Sequence, residues 1–298
     1  MTFTHGLEVW FASGQRVAVT LPDQQQAVHL FCRVMGSESW VTLLHGFPTC
    51  SWDWAEVADG LAANHQLLMP DLLGFGDSDK PAGHHYSLVE QADLVEALWR
   101  HFGIDQSALI AHDIGGSVAQ ELLARQAEGR LAARLINVVF LNGALYHGVS
   151  RPRPVQKLLA NALVGPVLAR VVTERLFTRT LAAVFSPSHP LPKETAHDYW
   201  LAFRRRSSAP HIHRLLQYIA ERDRHHARWE TALEGNTVPL NFVWGMRDPV
   251  SGPPVADLIR LRLPSAHLLA LDDVGHYPQL EVPEQVRPAV IAALRPGA

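Results

Sequence analysis

Residues 109–120, LIAHDIGGSVAQ, constrain this chain more than any other stretch. A short apolar run ends in a small residue, an acidic residue follows two places later, and paired glycines open a helical pattern. This spacing predicts a buried strand, a sharp turn and a helix, with Asp113 at the apex. Small residues on either side of the turn let strand and helix approach closely while the apex backbone is strained. The layout is that of a nucleophile elbow, and the apex carries a carboxylate where a hydroxyl is usual.

The elbow needs a parallel sheet around it, and the chain supplies the pattern. Strands are expected at 7–12, 15–21, 27–34, 40–44, 66–69, 108–112 and 135–141, with helices at 52–63, 87–102 and 116–126. Ser87 and Glu90 have the spacing of a capping box. Continuous apolar runs such as WVTLL and LINVVFL fit strands buried on both faces. From residue 144 the strands stop, and helices are expected at 155–161, 165–177, 193–206 and 211–224 between proline-rich breaks. Strands then return at 238–244 and 267–271, with helices at 254–263 and 283–294. The expected architecture is α/β, with a core of residues 1–143 and 234–298 and an inserted helical lid of residues 144–233.

Bulk properties limit the function classes. The 298 residues are 47% hydrophobic, enough for a sizeable core, and the net charge of −3 gives no overall attraction to nucleic acid or anionic membranes. The most apolar long stretch, 158–172, is interrupted by Asn161, Gly165–Pro166 and Arg170 and falls short of the roughly 20 residues of a membrane span. Two cysteines and an N-terminus unlike a secretory leader lead us to expect a reducing, cytoplasmic setting. Among the 17 histidines, the close pairs His84–His85, His211/His213 and His225–His226 lack the partners of known zinc patterns. No phosphate-binding glycine fingerprint is present. No metal or cofactor is therefore expected. The expected partners are a small apolar substrate and water, with a homodimer left open.

In open α/β sheets ligands bind beyond the carboxyl ends of the strands. The polar residues at those ends are His45, Asp71, Asp113, Asn142, Asp248 and His276. Asp113, Asp248 and His276 have the chain order nucleophile, acid, base. Asp272 and Asp273 lie nearer His276 in sequence, which leaves an ordinary Asp–Pro turn as the alternative reading of Asp248. Asn142 ends its strand without a carboxylate.

The motifs HGFP (45–48), DLLGFGDSDKP (71–81), HDIGG (112–116), WGMRDPV (244–250) and GHYPQLEVPE (275–284) resemble the α/β-hydrolase branch that holds epoxide hydrolases and haloalkane dehalogenases. HHYSLVEQA (84–92), VAQELL (118–123) and LLQYI (215–219) are similar to mesoderm-specific transcript protein-like hydrolases. The resemblance spans about residues 36–285. It implies an α/β-hydrolase fold with a cap, Asp113 as nucleophile, His276 as base for water, Asp248 as its acid, and the Phe47 and Ile114 amides as oxyanion hole. It also implies a lid tyrosine as proton donor, for which Tyr218 is the match, with Tyr199 and Tyr146 as candidates for a second.

The chemistry of an aspartate elbow can be argued independently. A carboxylate is ionised at neutral pH and needs no base to activate it. Attack at a saturated carbon gives an ester that water can cleave, whereas a serine would leave a stable ether. Attack on an ester would instead give an anhydride. The expected activity is hydrolysis of apolar epoxides to vicinal diols. A haloalkane dehalogenase is the second expectation, disfavoured because Phe47 and Ile114 offer no side-chain N–H to a halide. A binding protein on a hydrolase fold is the third. Trp52, Leu145, Phe177 and Tyr199 are expected to line the apolar pocket.

Overall fold

The computed structural model describes residues 5–21, 26–207 and 210–295. Eight strands form one sheet: β1 (Gln15–Val19), β2 (Val28–Gly36), β3 (Ser39–Leu44), β4 (His65–Pro70), β5 (Gln106–His112), β6 (Arg134–Leu141), β7 (Leu240–Gly245) and β8 (His267–Leu271). Their order is β1-β2-β4-β3-β5-β6-β7-β8. β2 runs antiparallel to both neighbours, and β4 through β8 are parallel. The chain doubles back between β3 and β5, so the loops after these central strands meet at one end of the sheet. That is where an α/β sheet places its ligand site.

The segment expected as a first strand is the helix His5–Ala12. Leu7, Trp10 and Phe11 are buried while Glu8 and Val9 face solvent, the three-and-four spacing of a helix face. The Trp10 indole donates to Ser51 Oγ at 3.1 Å, and Phe11 meets Phe31 edge-on at 5.3 Å. Period-two alternation was never present in this segment.

β6 and β7 are joined by helical segments running from Pro154 to Gly235. Two expected helices are broken. The run expected at 165–177 divides into Gly165–Leu168, a single turn at Ala169–Val171 and Glu174–Ala182, the last capped by Thr173 Oγ1 on the Leu176 amide. The run expected at 211–224 divides into Ile212–Leu215 and the long helix Tyr218–Gly235, which reaches beyond the expected end of the insertion. The expected capping box at Ser87 is only half formed. Ser87 Oγ accepts from the Val89 and Glu90 amides, but Glu90 turns to His84. Glu221 of the inserted helix completes the cap, accepting from Ser87 Oγ and, at 2.7 Å, from the Leu88 amide.

The same long helix is fastened to the elbow helix Ile114–Ala127 through Glu121, whose side chain is 1% exposed. Glu121 accepts from the Arg125 guanidinium at 2.8 Å, from the Trp229 indole at 2.8 Å, and from Arg228. These bonds hold the second half of the long helix to the elbow helix, while Glu221 holds its start near Tyr218. Replacing Glu121 with Ala leaves two guanidiniums and an indole without this buried acceptor. We expect unfolding free energy measured by urea titration to fall by about 3–5 kcal/mol. A loss under about 1 kcal/mol would show that this cluster does not hold the insertion.

Candidate active site

Asp113 ends β5 with φ 49° and ψ −112°, outside the regions that L-residues ordinarily occupy. Such a backbone costs on the order of 1–3 kcal/mol and persists only where its surroundings enforce it. They do so through close packing. A Cβ at Gly115 would lie 2.4 Å from the Leu44 carbonyl oxygen, and one at Gly46 would lie 2.8 Å from Asp113 Cβ. Gly115 thus lets the elbow helix approach the backbone of β3, and Gly46 lets the β3 loop approach the side chains of His112 and Asp113. The Asp113 amide donates to the Asn142 carbonyl at 2.9 Å.

Asp113 is 6% exposed. Its Oδ2 accepts the Phe47 amide at 2.9 Å, so the β3 loop already directs an N–H at one carboxylate oxygen. Its Oδ1 lies 4.0 Å from His276 Nε2, too far for a hydrogen bond but close enough for the two charges to interact. His276 Nδ1 is 2.8 Å from Asp248 Oδ2. Asp248 also accepts from Ser251 Oγ at 2.6 Å, from the Val250 amide at 2.7 Å and from Asn142 Nδ2 at 2.8 Å. The three groups taken from the sequence are thus in one chain of contacts, and Asp272 and Asp273 are not part of it. Asp273 instead pairs with His189 at 3.1 Å.

The charges in this chain follow from its contacts. Burial would push the Asp248 carboxyl up, but His276 and the hydrogen bonds of Ser251 and Val250 outweigh it and bring it down to about 2. Burial likewise disfavours an imidazolium at His276, yet the charges of Asp248 and Asp113 raise it to about 9. His112 stays neutral, pushed well below the usual histidine value by burial and then by His276. Its Nε2 donates to the His276 carbonyl at 2.8 Å, the tautomer that this acceptor requires.

Several positioning residues were not anticipated from the sequence. Asn142 offers no carboxylate, but it clamps β7: its Oδ1 accepts the Gly245 amide at 2.6 Å while its Nδ2 donates to Asp248. Glu281 accepts from the amides of Ser186, Gly275 and Tyr277, so one carboxylate ties the inserted segment to the His276 loop. Tyr277 donates to the Phe47 carbonyl at 2.9 Å and holds the loop whose amide faces Asp113. Its place directly after His276 was the available signal.

An apolar cavity opens over Asp113, lined by Phe47, Phe177, Leu181, Leu216, Tyr218, His276 and Tyr277. Tyr218 and Phe177 lie where the sequence reading put them. The Tyr218 phenol is raised by burial and then by the Asp113 charge, which places the two groups within electrostatic reach. Arg222, one helical turn after Tyr218, lines the same cavity. Its guanidinium stands 5.7 Å from the Tyr218 ring centre and donates to the Ala144 carbonyl at 2.6 Å.

Three expected pocket residues lie elsewhere. Trp52 and Tyr199 pack on each other at 5.1 Å and line a separate pocket with Phe185 and Leu280. Tyr199 is buried beside Asp53, whose carboxyl burial pushes up to about 7. Leu145 covers Gly116 at the head of the elbow helix and lines a third pocket with Tyr146 and Trp229. Neither Tyr199 nor Tyr146 reaches the cavity over Asp113. Tyr199 is held by its packing on Trp52, and Tyr146 lies just after β6 in the pocket with Leu145 and Trp229, so only Tyr218 of the three lines the cavity.

Among the described residues, no group of three or more His, Cys, Asp or Glu side chains is arranged to hold a metal ion, and no helix is long and apolar enough to cross a membrane.

Comparison with known proteins matches these features. Residues 39–283 fit the family model described as alpha/beta hydrolase fold. The putative hydrolase LipZ of Mycobacterium tuberculosis is 41% identical over 261 residues, 87% of this chain and 89% of that protein. The human mesoderm-specific transcript homolog protein is 42% identical over 257 residues, 84% and 77% of the two chains. Among solved structures, the haloalkane dehalogenase DbeA of Bradyrhizobium elkani superposes with a TM-score of 0.76 at 23% identity, covering 94% of this chain and 96% of its own, a likeness of fold alone. With its mostly parallel sheet, its elbow and its family match, this chain belongs to the α/β-hydrolase fold family.

Proposed function

We propose that this hydrolase opens apolar epoxides to vicinal diols through an ester on Asp113, with residues 144–233 serving as its lid. The observation that carries this reading is a carboxylate at the elbow apex sharing one apolar cavity with a buried tyrosine. Asp113 Oδ1 attacks a ring carbon and the C–O bond of the epoxide breaks. The departing alkoxide takes the Tyr218 proton and leaves a phenolate, which the positive Arg222 one turn along favours. His276 Nε2 then removes a proton from water, and the hydroxide adds to the ester carbonyl. The oxyanion forms on Oδ2, where the Phe47 amide already points and the Ile114 amide is the second donor. The tetrahedral adduct expels the diol oxygen, which takes the proton from His276. The regenerated carboxyl returns its proton to the Tyr218 phenolate, and the cycle closes.

The test of the covalent route is a single turnover in heavy-oxygen water. Label is expected in the Asp113 carboxylate, and the first diol is expected to carry the unlabelled oxygen of Asp113. Label appearing directly in the first diol would exclude an ester on Asp113.

Halide release is the second reading, and Arg222 is the observation in its favour, because its guanidinium lines the cavity near Tyr218 and can donate N–H groups to an anion. No tryptophan is among the described residues that line it. Tyr218→Phe separates the two readings. Removing the proton donor is expected to slow ester formation from styrene oxide by about 100-fold or more, while leaving any reaction with 1-chlorobutane within about two-fold. Equal rates for wild type and variant on styrene oxide would remove Tyr218 from the mechanism.

A further inference from the structure

The net charge of the chain conceals a local asymmetry. Residues 151–179 hold six cations, Arg151, Arg153, Lys157, Arg170, Arg175 and Arg179, against the single carboxylate of Glu174. Lys157, Arg170, Arg175 and Arg179 are exposed, and none has a carboxylate within ion-pair distance among the described residues. Glu174 is taken by His197 at 2.5 Å.

The same segment is apolar on its outside. Of the eight large hydrophobic side chains exposed among the described residues, six lie here: Leu158, Leu163, Val164, Val167, Val171 and Leu176. Leu163 is 87% exposed and Val171 64%. Leu159, Phe177 and Leu181 are buried and face the cavity over Asp113, so one segment forms both the roof of the cavity and the apolar outer face. Scattered exposed hydrophobics need no explanation, but a group concentrated in one segment and interspersed with unpaired cations marks an interaction surface.

We propose that residues 154–182 are a docking face for an anionic lipid surface. Apolar side chains of this kind enter the boundary between headgroups and acyl chains while the surrounding cations meet anionic headgroups. The charge pattern selects this occupant over a second copy of the chain. A two-fold contact would place the cation-rich segment against its own copy, where like charges repel. Docked in this way, the face sets the roof of the cavity against a reservoir of apolar molecules.

Vesicle flotation tests the proposal without any assay of turnover. The full chain is expected to float with phosphatidylcholine vesicles carrying about one third phosphatidylglycerol, far less with pure phosphatidylcholine, and to come off as salt shortens the screening length. The double variant Leu163→Ser/Val167→Ser is expected to lower the partition coefficient at least ~10-fold. Arg170→Gln/Arg175→Gln is expected to lower it about 30-fold on the anionic vesicles and little on neutral ones. Leu261→Ser, an exposed leucine outside the segment, should float as wild type does. Absence of flotation, binding indifferent to both double variants, or equal binding to neutral vesicles would overturn the proposal. So would a dimer in light scattering that does not float and that the serine double variant splits.

Discussion

Replacing His276 with Gln is expected to stop the reaction halfway. In the proposed mechanism ester formation uses Asp113 and Tyr218 and needs no base, whereas hydrolysis of the ester needs His276 Nε2 to take a proton from water. The variant should therefore consume one equivalent of styrene oxide and then stall, with steady-state turnover down by about 10³–10⁴-fold. Intact mass should rise by the mass of one substrate molecule, and peptide mapping should place it on Asp113. Full diol production at the wild-type rate would remove His276 from the proposed role, and the absence of any adduct or product from the wild type across epoxides and haloalkanes would overturn the ester mechanism. The same residue sets the pH behaviour. Asp248, Asp113 and Glu281 raise His276 to about 9 in the free protein, and esterification of Asp113 removes one of these charges. Hydrolysis of the ester should accordingly reach its plateau below the pH at which the free protein loses the His276 proton. For stability the sign is that of a raised histidine. Its contribution is complete below the usual histidine value of about 6.5 and is lost as pH rises through about 9. The variant lacks it, so the stability gap between the two proteins should narrow over that interval.

The distance between what could and could not be read beforehand has a physical cause. β3, β5 and β6 are buried on both faces, and that environment requires continuous apolar runs that are visible in one dimension. Residues in the loops that follow parallel strands gather at one edge of the sheet, so the grouping of Asp113, Asp248 and His276 could be expected without any knowledge of their contacts. His5–Ala12 was misread because a short apolar segment satisfies either period until its buried side is known. The inserted helices were placed in outline, but their breaks depend on tertiary contacts. Tyr218 opens a new helix whose direction is set by Glu121 and Glu221, residues whose partners lie more than 100 positions away. That helix carries Tyr218 and Arg222 to the cavity, whereas Tyr199 and Tyr146, on other segments, line separate pockets. Charge shows the same limit. A net value near zero is a sum over the chain and says nothing of the cation-rich segment 151–179.

Asp248→Asn is expected to have an effect close to that of His276→Gln on ester hydrolysis, for a reason that can be followed atom by atom. Oδ2 of Asp248 receives three donors, His276 Nδ1, Asn142 Nδ2 and Ser251 Oγ, while Oδ1 receives the Val250 amide. An asparagine has one oxygen for these two positions. If it faces His276, its NH₂ is pressed against the Val250 amide, donor to donor. If it faces Val250, its NH₂ confronts three donors, and the imidazole must adopt the other tautomer and present a protonated Nε2 to water. Either way the charge that raises His276 to about 9 is lost. Hydrolysis of the ester should slow by about 10³-fold or more while ester formation, measured as the burst in a rapid-quench experiment, changes by less than about ten-fold. Asp272→Asn and Asp273→Asn, outside this cluster, should leave both steps within about two-fold of wild type. Asn142→Ala supplies the intermediate case, because it removes one donor to Asp248 and the clamp on Gly245 but keeps the charge; a loss of about 10-fold is expected, mostly in hydrolysis. Equal losses in Asp248→Asn and Asp272→Asn would assign the acid wrongly, since only one of these two carboxylates can reach the imidazole from its place in the fold.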